Sequence, residues 1–229
     1  RGARGGLATA PGLKFNFAML LHGEQGLQIH QPIPPEATIT NRGKVAELTA
    51  LLAEARLDLE VTPQSELKVS APPETGATFV ENALTKARHA SRATGLPAIA
   101  DDSGLVVPTL GGAPGVRSAR FAGGNADDRA NIAKLLAALE APSLDRAASF
   151  HCVLVALEHP EDPAPLIASG SWAGEIARVP QGRGGFGYDP VFFDPKLGHT
   201  AAELTAGAKN RASHRGAALR TLVELLKNR

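Results

Sequence analysis

The chain reads as a mixed α/β protein in which helices precede and follow a β-rich middle. Three observations predict this. Apolar residues recur at helical spacing near both ends of the region 43–227, the stretch 150–179 holds two extended apolar runs, and Gly- and Pro-rich segments interrupt the pattern where no helix continues. That order suggests a mixed sheet flanked by helices, with two lobes and a cleft between them.

Residues 1–37 are rich in Gly, Pro and Arg without a sustained period, and are expected to form a poorly ordered extension before a globular domain over 38–229. Val45, Leu48, Leu51, Leu52 and Ala55 keep helical spacing and predict a helix over 43–56; 57–62 then reads as a strand. The loop 63–76 carries three prolines. Thr78-x-x-Glu81 is a capping box that opens a helix, which Gly95 and Pro97 stop near Thr94. Next comes Ala98-Ile-Ala-Asp101-Asp102-Ser103-Gly104-Leu105, where small apolar residues predict a short buried strand and Asp-Ser-Gly suits the turn that leaves it. Residues 105–107 are strand-like, 111–115 form a loop, and 126–139 is a helix with Ile132, Leu135, Leu136 and Leu139 on one face. The runs 150–158 and 166–179 are expected to be antiparallel neighbours. A glycine-rich loop at 182–188, a short strand at 190–193 and an amphipathic helix over 215–227 complete the chain.

Composition narrows the function classes. With 229 residues and 43% hydrophobic content the chain can bury a real core, and 24 Lys and Arg against 23 Asp and Glu give no global argument for nucleic-acid or membrane-surface binding. The single cysteine, Cys152, cannot form an internal disulfide, and it sits in a strand-like run as buried filler. Seven histidines show neither HExxH nor Cys/His pairing at zinc spacing. No apolar run approaches a membrane-spanning length, and the run 15–21 is too short for a convincing signal peptide, so a cytoplasmic protein is expected.

Four places carry chemistry. In open α/β sheets ligands bind at strand exits, and a carboxylate at Asp101 or Asp102 there can grip Mg²⁺ or accept a proton from water; ordinary turn chemistry explains the same residues. Lys44 lies in the first turn of a helix, where the macrodipole disfavours a cation; with Asn41 as cap it makes a phosphate cradle, against the plainer reading of a solvated lysine. Four glycines among residues 182–187 surround Phe186 and precede Tyr188, in a chain with only 4% aromatics. A ring on such a loop suits stacking on a base, and a hairpin with its aromatic in the core suits it equally. Lys209, Arg211, His214 and Arg215 gather donors before the last helix, able to clasp a base carbonyl; Ser213 as N-cap explains part of the pattern. Together these are the parts for holding a metal-bound nucleoside polyphosphate.

AIADDSGL at 98–105, GGAPGVRSARFAG at 111–123, GGFGYDPVF at 184–192 and SHRGAAL at 213–219 closely resemble the inosine/xanthosine triphosphate pyrophosphatase family. TFVENALTKARHA at 78–90 and FHCVLVALEH at 150–159 are similar to it too, and the resemblance runs in order from about Asn41 to the C-terminus. It implies an elongated mixed α/β fold and a homodimeric, Mg²⁺-dependent hydrolase. The reaction would cut noncanonical purine nucleoside triphosphates (ITP, dITP, XTP) to monophosphate and pyrophosphate. By match of motif, Asp102 would be the proton acceptor and a metal ligand, Ser103 would touch substrate, and Asn41 and Lys44 would hold phosphates. Phe186, Gly187, Tyr188 and Asp189 would frame the base, Lys209, His214 and Arg215 would complete binding, and Glu74 would be a second metal ligand. Family members open on an apolar strand leading to a hydroxyl residue two before Asn. Here Pro34-Pro35-Glu36-Ala37-Thr38-Ile39 stands there, so the first strand is expected to be damaged or supplied differently. A pyrimidine triphosphate pyrophosphatase of related fold and a nucleotide-binding protein with impaired catalysis are the alternatives.

Overall fold

A computed structural model of the chain describes residues 15–21, 59–63, 66–124 and 126–228. Its strands are β1 (Phe15–Leu21), β2 (Leu59–Pro63), β3 (Ala98–Val106), β4 (Ala147–Leu157), β5 (Leu166–Ile176), β6 (Phe192–Asp194) and β7 (His199–Thr200). The helices are α1 (Phe79–Thr94), α2 (Asp128–Ala138), α3 (Ala206–Ala212) and α4 (His214–Lys227). The strands form one sheet in the order β2-β1-β3-β4-β5-β6-β7. β1 runs parallel to β2 and β3, and every other neighbouring pair is antiparallel. The fold is the mixed α/β sheet with flanking helices that the element order predicts.

β3 is the hinge of this arrangement. It pairs with β4 along its whole length, from Ala98↔Leu157 to Val106↔Ser149, but with β1 only from Ala98 to Asp101. Two expectations are corrected here. Asp101 and Asp102 lie inside a nine-residue strand rather than at the turn leaving it, because the β4 ladder carries the strand through to Val106. The strand that ends beside the acids is β1, whose Leu21 pairs with Asp101. The second correction falls on the stretch 1–37, expected to be irregular: Phe15–Leu21 forms β1 within it. Phe-Asn-Phe-Ala-Met-Leu-Leu is long enough for a strand, and the Gly-, Pro- and Arg-rich residues around it masked that signal. The predicted helix at 43–56 lies outside the described residues.

The side chains of β3 alternate between two cores. Ala98 and Ala100 pack with Val155 and Leu157 against Ala83, Ala87 and Ala90 of α1. Ile99 packs with Cys152 and Leu154 against Leu219 and Leu222 of α4. Burying each of those leucines contributes about 1.5–3 kcal/mol, which keeps α4 on the sheet. Its seat is a glycine: a Cβ on Gly170 of β5 would lie 2.2 Å from the His214 carbonyl oxygen and 2.5 Å from the Ala218 nitrogen. A third core joins Phe150, Trp172 and Phe192 to Ile132, Leu135 and Leu139 around α2. The 3₁₀ segment Gly115–Arg120 lies against β3 at Gly104, where a Cβ would sit 2.4 Å from the Gly115 oxygen.

Candidate active site

α1 begins as its capping box predicts. The Thr78 hydroxyl accepts from the Glu81 N–H at 3.3 Å, the Glu81 carboxylate accepts from the Thr78 N–H at 2.8 Å, and Gly95 ends the helix in the left-handed region at φ 70°. The small Ala83/Ala87/Ala90 stripe brings the helix close to β3. Asn82 and Lys86 sit on the same buried side and reach Asp102. Asn82 Nδ2 donates to Asp102 Oδ2 at 3.1 Å, and Lys86 Nζ donates to Asp102 Oδ1 at 2.7 Å and to the Asp101 carbonyl at 3.1 Å. The same ammonium lies 2.5 Å from Glu74 Oε1. All three of its protons therefore have an acceptor. Arg120 closes the chain of charges from outside, donating to Glu74 Oε2 at 2.7 Å and to the Glu74 carbonyl at 3.3 Å.

These contacts set the proton affinities. Burial pushes the Asp102 carboxyl up to about 6; Lys86 opposes this and the Glu74 charge adds to it. Burial pulls Lys86 down, but Asp102, Asp101 and Glu74 outweigh it and leave the ammonium harder to deprotonate than usual. Strand alternation sends Asp101 to the other face, where it accepts from the Ser103 hydroxyl at 3.1 Å and lies 3.9 Å from Arg215 Nη2.

The glycine-rich loop folds back on itself at Gly185, whose φ of 74° suits glycine and whose Cβ would collide with the Asp189 carboxylate. That carboxylate accepts the Phe186 N–H at 2.8 Å and pairs with Lys209 of α3. The Gly187 N–H is taken by Asp128 Oδ2 at 2.6 Å, from the first turn of α2. The loop thus presents Phe186, which is 41% exposed, with Lys209 Nζ 4.7 Å and Arg215 Cζ 5.6 Å from its ring centroid. Tyr188 takes the opposite course: of the two readings left open for the loop's aromatics, display describes Phe186 and the core describes Tyr188. It is buried in the core with its hydroxyl donating to the Ser118 carbonyl at 2.8 Å, and burial, then the Asp128 charge, push its proton affinity up.

Ser213 caps α4 by accepting the Gly216 N–H at 3.1 Å, so His214 and Arg215 fall in its first turn, both buried. The His214 ring stacks on Phe150 with centroids 4.8 Å apart.

Every described residue of the predicted site lines one cavity of about 250 Å3. Glu74, Lys86, Asp102 and Ser103 line it; Phe186, Gly187, Tyr188 and Asp189 come from the loop, and Lys209, His214 and Arg215 from α3 and α4. Asn41 and Lys44 lie outside the described residues. Sequence reasoning missed Lys86, Asn82, Arg120 and Asp128. A signal existed for Lys86, which falls on the helical stripe of Ala83, Ala87 and Ala90, where a charged residue needs a buried partner. Among the described residues no three His, Cys, Asp or Glu side chains cluster as a metal site. Glu74 and Asp102 nevertheless aim one oxygen each at a common cation, and one or two carboxylates with substrate phosphates suffice for Mg²⁺.

Comparison with known proteins decides the family. The Ham1 family model matches residues 37–225. The chain belongs to the Ham1 family. A dITP/XTP pyrophosphatase of Pectobacterium atrosepticum is 58% identical over 189 residues, 82% of this chain and 95% of that protein. Two solved Ham1 structures share the fold. The Ham1 protein of Coxiella burnetii has a TM-score of 0.79 and 48% identity, covering 93% of this chain and 100% of that one. The Staphylococcus aureus Ham1 protein has a TM-score of 0.75 and 36% identity, covering 92% and 98%. A second family model, the MFE-2 hydratase 2 N-terminal domain, matches residues 4–69. That stretch contains β1, and the overlap with the Ham1 match begins at residue 37.

Proposed function

We propose that this Ham1 protein hydrolyses noncanonical purine nucleoside triphosphates of the dITP, ITP and XTP class to the monophosphate and pyrophosphate, with Mg²⁺. The observation that supports this most is the shared cavity. A buried carboxylate of raised proton affinity, Asp102, lies in the same lining as an exposed ring, Phe186, and two buried donors, His214 and Arg215. The relatives' names agree in kind.

In this reading Asp102 takes the proton of an attacking water. With a pKa of about 6 it is mostly ionised at neutral pH, yet basic enough for the transfer. Asn82 and Lys86 fix its two oxygens, so the carboxylate is oriented before substrate arrives. Asp102 and Glu74 are the residues that would hold Mg²⁺, which when bound neutralises phosphate charge and polarises the phosphoryl oxygens. Lys44 and Asn41 bind phosphates, and Lys209 offsets charge on the pyrophosphate. Ser103 contacts substrate, while Phe186 offers its face to the base beside Gly187, Tyr188 and Asp189. The Tyr188 ring serves as the loop's anchor to Ser118. His214 and Arg215 present donors to a 6-oxo group. A 6-amino group leaves such buried donors unpaired, at a cost of about 1–3 kcal/mol, which discriminates against adenine.

A pyrophosphatase domain over 38–229, with β1 of Phe15–Leu21 added to its sheet, a homodimer and a cytoplasmic location belong to the same proposal. No described helix is long and apolar enough to cross a membrane.

Pyrophosphate release from dITP, dTTP and ATP with Mg²⁺, by wild type and Asp102→Asn, tests the reading. Wild type should prefer dITP, and the variant should lose roughly 10²–10⁴-fold, the usual worth of a general base. Equal release by both proteins removes Asp102 from the chemistry. A preference for dTTP supports a pyrimidine enzyme, and no release by wild type leaves a nucleotide-binding protein.

A further inference from the structure

Lys86 is only 1% exposed, yet it carries a full charge in the cavity lining. Its surroundings explain how. The outer oxygens of the two carboxylates are already engaged, Glu74 Oε2 by Arg120 and Asp102 Oδ2 by Asn82. The inner oxygens, Glu74 Oε1 and Asp102 Oδ1, converge on the Lys86 ammonium at 2.5 and 2.7 Å. Those inner oxygens are the pair that a divalent cation would need.

From this geometry we infer that Lys86 is a tethered placeholder: in the free protein its ammonium fills the cation position between Glu74 and Asp102, and a divalent metal enters by displacing it. The inference rests on the proposed metal and polyphosphate chemistry of this cavity. A metal arriving while the ammonium stays put would place two cations within a few ångströms of each other, in a site shielded from water. A metal arriving alone must strip Lys86 of its carboxylates and leave a charged group buried without a partner. Polyphosphate removes the obstacle, because its oxygens give the displaced ammonium new acceptors within the same cavity. The flexible four-carbon stem and point charge of lysine permit that move, as the planar, rigid fork of an arginine would not. Metal and polyphosphate therefore bind with positive coupling, each raising affinity for the other.

The test uses Mn²⁺ titration of the full chain, read by electron paramagnetic resonance, for wild type, Lys86→Met and Lys86→Gln, with and without pyrophosphate. Free wild type should bind Mn²⁺ weakly, and the neutral variants about tenfold or more tightly, since the two inner carboxylate oxygens then face each other with no cation between them. Pyrophosphate should tighten Mn²⁺ binding to wild type more than to either variant. Equal Mn²⁺ affinity across the three proteins, or weaker binding by folded variants, overturns the inference. Should neither variant fold, the ¹⁵Nζ resonance of Lys86 in wild type decides: it should move when Mg²⁺ and pyrophosphate saturate the site, and an unmoved signal overturns the displacement. Release of pyrophosphate from dITP, assayed in parallel, separates the two failures. Active wild type without the Lys86 effect sinks only the placeholder, whereas the Lys86 effect without turnover sinks only the functional reading.

Discussion

Replacing Asp102 by Asn should flatten part of the protein's dependence of stability on pH. In wild type the folded carboxyl keeps its proton up to about 6, against 3.8 for an ordinary aspartate, chiefly because it is buried. Between those values the folded state holds a proton that the unfolded chain has released. The stability this proton contributes is complete below 3.8 and is lost as pH rises through about 6. A separation of roughly two pK units amounts to about 3 kcal/mol. Asparagine cannot titrate, so the variant escapes that loss, and its amide oxygen still accepts from Lys86 in place of the carboxylate. Urea unfolding of both metal-free proteins across about pH 3.5 to 7.5 gives the stability of each. Wild-type stability minus that of the variant should fall by about 3 kcal/mol as pH rises across the window. Subtraction removes every titration the two proteins share. A difference that stays level within about 0.5 kcal/mol, or that climbs with pH, refutes the placement of Asp102 as a buried carboxyl opposed only in part by Lys86.

Two more expectations follow from the same geometry. The kcat/KM of wild type, measured at low metal, should rise with pH along a limb centred near 6 for the free enzyme, and Lys86→Met should move that limb to higher pH by removing the charge that holds Asp102 down. At the far side of the sheet, Gly170→Val should lower stability by about 3 kcal/mol or more, because its side chain would occupy the place of the α4 first turn; thermal melts check the fold, and nucleotide binding checks the displaced His214 and Arg215.

Much of this was legible in the residues. Thr78 and Glu81 announce α1, the alternating runs announce β4 and β5, and Ser213 announces α4, because capping and periodicity are local properties. What escaped was non-local. Asp101 and Asp102 read as a turn because charge inside a strand is costly, and the partners that make Asp102 tolerable, Lys86 and Asn82, lie sixteen and twenty residues back, on another element. Lys86 went unnoticed for the same reason, since nothing in its neighbourhood names Asp102 or Glu74. Tyr188 and Phe186 are two residues apart and look interchangeable, yet one anchors the loop and the other is displayed by it. Ser118, seventy residues earlier, decides which. β1 was hidden by the composition around it rather than by its own residues.

The two adjacent aspartates of β3 point to opposite faces of the sheet because a strand turns its side chains over at every step. One peptide unit therefore divides the ammonium-bound acid from the acid beside Arg215. Inserting or deleting a single residue ahead of Asp101 would turn each acid to the opposite face and leave only one of the two positions with a carboxylate, with composition and hydrophobicity almost untouched. Spacing, as much as chemistry, is what this stretch of the chain has to preserve.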